Sequence, residues 1–275
     1  MTANLTSTQT FLQKLLGRNY KWWYLFLYTY KQSMSGVSSF IFDNLFSTVE
    51  FFTILYIWLY NKADPVIITY LCLGYVFNRI VASNFGGVLA SHIVNGSITK
   101  DLIRPQSTII YYYVSNLGYN TFRYLVSAIL TLLLASVFFS QYIIFSGYPI
   151  LFVILLIPIS ITIRYFFSFL VGCLGFWLGD KQNTNSVING VYTFSSTLSG
   201  KLIPLNLIFL GSFSFLQFSP FAFTLHIPMQ IYLGKYSPTE ILYVFLGGIT
   251  WCVVLYFLAK WVFKLGLKRN ESVGL

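Results

Sequence analysis

Charged residues are scarce in this 275-residue chain. They make up 9% of it, whereas hydrophobic residues make up 56% and the mean hydropathy is +0.71. A water-soluble domain has roughly a quarter of its residues charged, so this chain cannot cover itself with a hydrated surface. The composition excludes an ordinary soluble domain and indicates that most of the surface faces lipid.

Residues that usually build catalytic and metal sites are also few. The sequence has 2 histidines, far apart, and 3 cysteines, Cys72, Cys173 and Cys252, each inside an apolar run. Such cysteines are typical of small buried hydrophobes, and no constellation of nucleophile, base and metal ligands is present. We therefore expect no catalytic residue, metal or cofactor on this chain. The basic residues behind the net charge of +10 are scattered, so no nucleic-acid partner is expected.

Long apolar runs dominate the chain instead. A bilayer core of about 30 Å needs about 20 apolar residues in a helix, and backbone groups in lipid must pair internally, which favours helices for such runs. The alternation of apolar and polar residues that a β-barrel requires is absent. The sequence predicts an all-α integral membrane protein, a single domain over 1–275, with six transmembrane helices at 39–60, 65–86, 116–140, 148–178, 185–211 and 239–263.

The segment 1–38, ahead of the first span, mixes basic and aromatic residues, among them Lys21, Lys31 and Trp22. This mixture suits an interfacial amphipathic helix in the headgroup layer, and it suits an ordinary basic lead-in to the first span equally well. It lacks the apolar core and cleavage site of a secretory signal peptide. Lys and Arg residues concentrate on one side of the predicted spans, so both termini are expected in the cytoplasm.

The polar stretch VNGSITKDLIRP, residues 94–105, separates two apolar runs. Val94, Ile98 and Leu102 are spaced by four and share one face of a short helix. Asp101 can pair with Arg104 three residues later, and the following proline is expected to end the helix. Such a helix suits the groove of a cytoplasmic partner. A short helix resting on the membrane surface would give the same pattern.

In its wider context, SHIVNGSITKDLIRPQSTIIYYY, this stretch resembles the segment between the second and third spans of permease subunits of type-2 ABC exporters. The matching residues are Ile93, Gly96, Leu102, Arg104 and Pro105. The stretch LSGKLIPLNLIFLGSFSFLQFSPFAFTLHIPMQIYLG is similar to the exit of the family's fifth span. The closing GLKRNESVG resembles bacterial permeases encoded in pairs with one ATPase. One departure is GSFSF, which stands where a second apolar, proline-containing turn is expected.

The resemblance implies that 94–105 is a cytoplasmic coupling helix that docks in a cleft of an ATP-binding cassette subunit. It also implies two such subunits, a second permease that is either a copy of this chain or a sister chain, and the plasma membrane of a bacterium. No GxxxxGK[ST] run occurs here, so ATP and Mg²⁺ are expected on the partner and the chain by itself is not an enzyme. The candidate coupling residues are Val94, Gly96, Ile98, Lys100, Asp101, Leu102, Arg104 and Pro105.

Between Gly200 and Lys235, apolar stretches are interrupted by prolines and are too short to span. Broken backbone at membrane depth is tolerated only where it is buried in protein or lines a cavity. The sequence therefore predicts an outer re-entrant hairpin between spans five and six that gates the pathway. The alternative is a surface loop that dips into the outer leaflet. The candidate gate residues are Pro204, Leu205, Pro220, Phe221 and Pro228, and the nearby His226 is expected to be a hydrogen-bonded structural residue.

Glu50, Arg79, Arg123 and Arg164 are charged residues that fall inside predicted spans. A charge at the bilayer centre costs about 2.5–3.5 kcal/mol on insertion scales and should face protein or water. An ion pair from Glu50 to Arg123 or Arg164 would serve packing, and contact with substrate or lipid headgroups is the functional alternative. Arg79 and Arg123 can also extend to the inner surface. The tyrosines at 111–113 and 119 are expected in the interfacial aromatic belt.

The function implied by these features is that of a permease subunit of an ATP-driven ABC exporter. Its substrate would be amphiphilic or hydrophobic: a drug, lipid, peptide or glycoconjugate. An ion-coupled secondary transporter is the alternative, but it favours paired acids inside spans and an internal repeat. The sequence has one acid in mid-span and no convincing repeat.

Overall fold

The computed structural model describes residues 20–35, 37–144, 147, 149–208 and 214–272. Every regular element in these ranges is helical, which confirms the all-α fold class. Three short 3-10 segments, Ser140–Tyr142, Ser214–Phe218 and Ala222–Thr224, accompany the α-helices. The α-helices, in chain order, are α1 (Tyr20–Ser33), α2 (Val37–Tyr60), α3 (Pro65–Val81), α4 (Phe85–Val94), α5 (Ile98–Leu102), α6 (Thr108–Phe139), α7 (Ile150–Gly172), α8 (Gly175–Leu178), α9 (Lys181–Leu198), α10 (Leu205–Ile208), α11 (His226–Tyr232) and α12 (Pro238–Ser272).

By length and composition, 5 helical stretches in the described residues can cross a membrane: Phe40–Tyr60, Pro65–Val94, Thr108–Tyr142, Ile150–Leu178 and Pro238–Arg269. They correspond to the first four predicted spans and the sixth. The predicted span 185–211 is not among them. Its described residues form most of α9, which is rich in Asn, Ser and Thr, and then a turn that leads into α10.

Local capping explains where two of the helices begin. The Asp64 carboxylate accepts a hydrogen bond from the Val66 amide at 2.8 Å, and Pro65 fills the first helical position of α3. Asp180 caps α9 in the same way by accepting from the Asn183 amide at 3.0 Å. At both boundaries an acidic residue directly precedes the helix and caps it.

The centre of the bundle is α7, which packs against α4, α11 and α12, while α6 packs against α1 and α3. Helices α4 and α7 approach each other closely at two glycines. A Cβ placed on Gly172 would lie 2.8 Å from the Gly86 carbonyl oxygen. The Gly86 amide, in the first turn of α4, donates to the hydroxyls of Ser168 at 2.9 Å and Tyr192 at 3.0 Å. These bonds satisfy an amide that has no partner within its own helix.

The bundle has two distinct ends. At the first, called here the α5 end, Gly175 lies against Ile93, and Phe176 lies against Phe263 with ring centroids 5.9 Å apart. At the opposite, far end, the Tyr232 hydroxyl donates to the Ile144 carbonyl at 3.1 Å. The C-terminal part of α12 therefore lies at the same end as α5.

Candidate functional site

The segment 94–105 forms a turn and the short helix α5. After α4 ends at Val94, Gly96 adopts a φ of 70°, a left-handed value that favours glycine and redirects the chain into α5. Ile98 is fully buried inside this chain, whereas Leu102 is exposed and Ile103 is 84% exposed. The residues predicted to share one face are therefore in different surroundings. Ile98 is buried and anchors the segment to this chain, whereas Leu102 is exposed and available to a partner.

Asp101 holds this segment onto the bundle. The predicted pair with Arg104 is confirmed, with 3.1 Å between Nη2 of Arg104 and Oδ1 of Asp101. The other carboxylate oxygen accepts from the Tyr112 hydroxyl and lies 3.4 Å from Nδ1 of His92. The Arg104 guanidinium lies 4.0 Å from the centroid of the Tyr111 ring. One carboxylate thus joins α5 to both α4 and α6.

Two of the sequence expectations change at this cluster. Asp101 was expected to pair with Arg104 on the short helix, yet it is only 8% exposed because its carboxylate also faces the bundle. Tyr112 was expected in an interfacial belt, but it is buried beneath α5 and bonded to Asp101. Lys100, Arg104 and Pro105 remain exposed. The outer surface of the segment is therefore basic and apolar.

The mid-span acid Glu50 pairs with Lys201, with 2.6 Å between Nζ and Oε1. The prediction of a pair with Arg123 or Arg164 is wrong. Lys201 follows the tight turn at Gly200, whose φ of 83° brings the chain back against α2 and α3. There the Lys201 ammonium also lies 5.0 Å from the centroid of the Tyr75 ring. The sequence gave no sign of this contact.

The three intramembrane arginines have separate surroundings. Arg123 donates from Nε to the Ser33 carbonyl at 3.3 Å, at the C-terminal end of α1, where a cation is favourable. Arg164 is 9% exposed and is therefore buried within the bundle at α7. Arg79 has no carboxylate oxygen within 4 Å among the described residues. Arg79 and Arg123 line one cavity, and Arg164 does not.

That cavity has a volume of about 720 Å³ and lies between α1, α2, α3 and α6, with α4 and α5 at one end. Its size falls within the range of about 300–1,000 Å³ that is common for ligand sites. The lining combines Arg79 and Arg123 with amides such as Asn116 and with aromatic rings such as Phe40. The same cavity reaches Asp101, so it connects with the segment that α5 belongs to.

A family model described as ABC-2 family transporter protein matches residues 27–274. The match spans nearly all of the chain and includes the segment around α5 and every apolar helix. The chain belongs to the ABC-2 family of transporter proteins. No curated protein and no solved structure matches it. The resemblance seen in the sequence is confirmed at the level of the family, and this ABC-2 permease is a multi-pass membrane protein.

Part of the proline-rich region of this ABC-2 permease is buried in protein. Leu205 in α10 and residues 222–230, which include His226 and Pro228, are inaccessible. The Ser160 hydroxyl, in the middle of α7, donates to the Phe223 carbonyl at 2.7 Å. The Trp251 indole donates to the Phe218 carbonyl at 2.8 Å. Non-spanning backbone thus packs against α7 and α12, and the re-entrant hairpin stays a prediction.

The remaining candidate gate residues are buried to different degrees. Pro204 is buried, Pro220 and Phe221 are half-buried, and the Phe221 ring lies 5.0 Å from the Phe167 ring at 86°. Nδ1 of His226 lies 3.2 Å from the Tyr70 hydroxyl, which also donates to the Gly200 carbonyl at 3.1 Å. His226 is therefore a hydrogen-bonded structural residue, as expected. Residues 209–213, between the two parts of the hairpin, lie outside the described residues.

Helix α9 of the permease has a polar exposed face. Asn185, Asn189 and Thr193 are spaced by four and are exposed, while Thr184, Ile188 and Ser195 face the bundle. The helix leaves α8 at the α5 end and leads to Gly200, which contacts Tyr70 and His226. A row of amide and hydroxyl groups therefore lies on the outside of an apolar bundle.

The described residues hold no group of three or more His, Cys, Asp or Glu side chains that could bind a metal ion. Cys72 and Cys173 are buried, and Cys252 is half-buried.

Proposed function

We propose that this chain is the permease subunit of an ATP-driven exporter that moves an amphiphilic or hydrophobic substrate out of the cytoplasm or the inner leaflet. A separate ATP-binding subunit, in two copies, would dock on the coupling segment, defined as residues 94–105. ATP and Mg²⁺ would bind to that partner. We place the protein in the plasma membrane of a bacterium with both termini in the cytoplasm.

The observation that carries the proposal is the two-sided construction of the coupling segment. Lys100, Leu102 and Ile103 face outward, where a groove can receive them. On the inward side, Asp101 is bonded to α6 through Tyr112 and lies close to His92 of α4. A displacement of the outer surface must therefore move the ends of two membrane helices.

The exposed polar face of α9 supports a second permease. Polar side chains at membrane depth are unfavourable against lipid and normally face protein or a water-filled path. Asn185, Asn189 and Thr193 meet neither within the described part of this chain. A copy of the chain or a sister chain packed along α9 would cover this row or enclose a polar pathway with it.

The ion-coupled alternative loses its main support in the structure. A carrier of that kind needs a mid-span acid that can bind and release an ion. Glu50, the acid that the sequence offers, is already paired with Lys201 at 2.6 Å. The coupling segment would also have no role in such a carrier.

Copurification with a candidate ATP-binding subunit tests the proposal. The wild-type chain is coexpressed with that subunit and compared with Leu102→Glu and Ile103→Glu, which place a carboxylate on the proposed docking surface. Leu265→Glu is the matched control, because Leu265 is 40% exposed and Leu102 is 38% exposed, but Leu265 lies on α12. We expect capture by the wild type and the control, and loss of capture by both docking variants.

Capture that survives both docking variants would contradict the assignment of the docking surface. Failure of the folded wild type to capture the subunit, with a sister permease also coexpressed, would contradict the exporter itself. Size-exclusion profiles of all variants show whether each one is folded.

A further inference from the structure

The cavity between α1, α2, α3 and α6, called here the lateral cavity, contains a buried polar atom with no partner. Ser127 is 3% exposed, and its hydroxyl forms no hydrogen bond with any described residue. Buried polar atoms in native proteins nearly always have a partner, so an orphaned one points to a group that the chain alone does not supply. Ser115 has a second orphaned hydroxyl, about 18 Å further along α6 toward the α5 end.

The same region carries positive charge. Ser127 follows Arg123 by four residues, so both side chains emerge on one face of α6. Arg79 enters the cavity from α3, and no carboxylate oxygen lies within 4 Å of its guanidinium among the described residues. Glu50, the nearest acid in mid-span, is held by Lys201. Two further acids line the cavity, but Asp101 is paired with Arg104, so two guanidinium groups face the single carboxylate of Asp43 and leave an excess of positive charge beside the Ser127 hydroxyl.

The rim of the lateral cavity is aromatic and faces outward. Phe46 of α2 is 76% exposed, and Tyr28 of α1 is 59% exposed, yet both line the cavity. An arginine within the apolar part of a bilayer is unfavourable unless it meets a partner or water. An anionic group that enters past this rim can neutralise the arginines while an attached apolar tail stays in contact with the aromatic rings and the lipid.

We propose that the lateral cavity binds an amphiphile with an anionic headgroup, which contacts Arg79, Arg123 and the Ser127 hydroxyl while its apolar tail leaves past Tyr28 and Phe46. The recognised group is a phosphate or carboxylate on an apolar tail, and it is either a lipid of the surrounding bilayer or the exported compound. The transport part of this inference rests on the proposed function, because it names that exporter's substrate class. The binding part does not.

Binding is measured on the full-length chain in nanodiscs of phosphatidylcholine. The probes are oleoyl lysophosphatidate and oleoyl lysophosphatidylcholine, which share a tail and differ in net headgroup charge. We expect the wild type to bind the anionic probe at least about tenfold more tightly, the factor that one charge-assisted hydrogen bond supplies. We expect Arg79→Gln to lose that preference and Arg79→Lys to retain part of it.

Two further variants keep the test decisive. Arg269→Gln removes an arginine near the end of α12 and should leave the preference unchanged. Ser127→Leu fills the cavity beside the arginines without changing any charge and should weaken binding of the anionic probe, even if Arg79→Gln fails to fold. Equal binding of the two probes by the wild type would overturn the proposal. A preference that survives both Arg79→Gln and Ser127→Leu would overturn it as well.

The source of the ligand is distinguished by competition. Displacement of the probe by phosphatidylglycerol in the nanodisc identifies a bilayer lipid as the occupant. Stimulation of ATP hydrolysis by the probe, in the complex with the ATP-binding subunit and lost in Arg79→Gln, identifies an exported compound. Selective binding by a chain that captures no ATP-binding subunit would keep the cavity assignment and reject the exporter, so the two failures are separable.

Discussion

At the scale of single residues, His226 shows how the buried hairpin responds to pH. It is 1% exposed, and burial lowers its pKa from 6.5 to about 4. Its Nδ1 lies 3.2 Å from the Tyr70 hydroxyl. Since the folded state resists protonation and the unfolded state does not, stability is complete above pH 6.5. It falls as the pH drops toward 4, by roughly 3 kcal/mol from this residue.

The measurement is thermal unfolding of the detergent-solubilised protein between pH 7.5 and 4.5. The wild type should lose stability across this range more steeply than His226→Gln, which can still form a hydrogen bond with Tyr70 but cannot titrate. His92→Gln is the control, since His92 lies at the opposite end of the bundle beside Asp101. Parallel profiles for the wild type and His226→Gln would show that the buried imidazole does not titrate as described.

The pair of Glu50 and Lys201 supports a double-mutant cycle. Removing one partner leaves a charge in an apolar setting without its counterion, which costs more than removing both. We expect Glu50→Gln and Lys201→Gln each to destabilise the protein by about 2–3 kcal/mol, and the double variant to be less destabilised than the sum. Additive losses would mean that the two charges do not interact in the folded protein.

The charge pattern of the sequence predicted part of this arrangement. It identified Glu50, Arg79, Arg123 and Arg164 as residues whose charge needs a partner, because ionisable groups inside apolar runs are conspicuous. It could not identify the partner of Glu50, since Lys201 is 151 positions away in sequence and reaches Glu50 only through the turn at Gly200. The i, i+3 pair of Asp101 and Arg104 was predictable because the two residues are only three positions apart in one short polar segment.

At the scale of helices, the contact between α4 and α7 depends on the absence of side chains. A Cβ on Gly86 would lie 2.6 Å from the Ser168 carbonyl oxygen, whereas one on the adjacent Gly87 meets no atom within 4 Å. We expect Gly86→Ala to lower stability by about 1–3 kcal/mol through overpacking. Gly87→Ala should be neutral or stabilising by up to about 1 kcal/mol, because alanine favours the helix.

Thermal unfolding of the two variants in one detergent checks this difference. The pair is closely matched, since the substitutions are identical and adjacent in α4. Equal losses of stability at both positions would indicate a general intolerance of α4 rather than a close approach to α7.

The Asp101 cluster predicts that docking of the ATP-binding subunit can be separated from transmission of its motion to the membrane helices. Asp101→Ala removes the acceptor for Tyr112 and Arg104 but leaves Leu102 and Ile103 exposed. We expect this variant to capture the ATP-binding subunit as the wild type does. Its ATP hydrolysis should no longer respond to added amphiphile, because α5 is no longer fastened to α6.

Copurification and ATPase assays on one preparation give both readouts. Loss of capture in Asp101→Ala would assign the carboxylate to the docking surface. ATP hydrolysis that still responds to amphiphile as in the wild type would show that the carboxylate is not needed for transmission. Lys100→Ala, an exposed neighbour on the same short helix, is the control for the general effect of substitution.

Among the helices, those that cross lipid were the most predictable, because a long apolar run has few alternatives in a bilayer. The assignment of 185–211 as a span extended an apolar pattern over α9, where only Thr184, Ile188 and Ser195 face the bundle. Most of the exposed residues of α9 are polar, so hydropathy alone could not place it. The lateral cavity was not predictable at all, since four separate helices define it.

At the scale of the whole molecule, the exposed row on α9 predicts an interface between permeases. Asn189→Cys should be captured by a short bifunctional maleimide in native membranes, giving a species of about twice the mass. Leu242→Cys, on α12 and 61% exposed, should remain monomeric because it faces lipid. The unsubstituted chain, whose own cysteines are buried or half-buried, is the blank.

The contradicting result is crosslinking at Leu242→Cys with none at Asn189→Cys. That pattern would place the second permease against α12 and leave the polar row of α9 facing a lumen. If Asn189→Cys crosslinks only when a sister chain is coexpressed, the permease pair is made of two different chains.

The glycine contact between α4 and α7 also has a mechanical meaning. Interdigitated side chains resist the sliding of one helix along another, because each side chain must leave the groove between its neighbours before the helix can move. Between Gly86 and Gly172 no side chains interlock, so two nearly smooth backbones face each other. Helix α4, whose end carries α5, is held to α7 at this contact by close backbone packing and by the hydrogen bond from the Gly86 amide to the Ser168 hydroxyl, so we expect a push on α5 to pivot α4 about this contact.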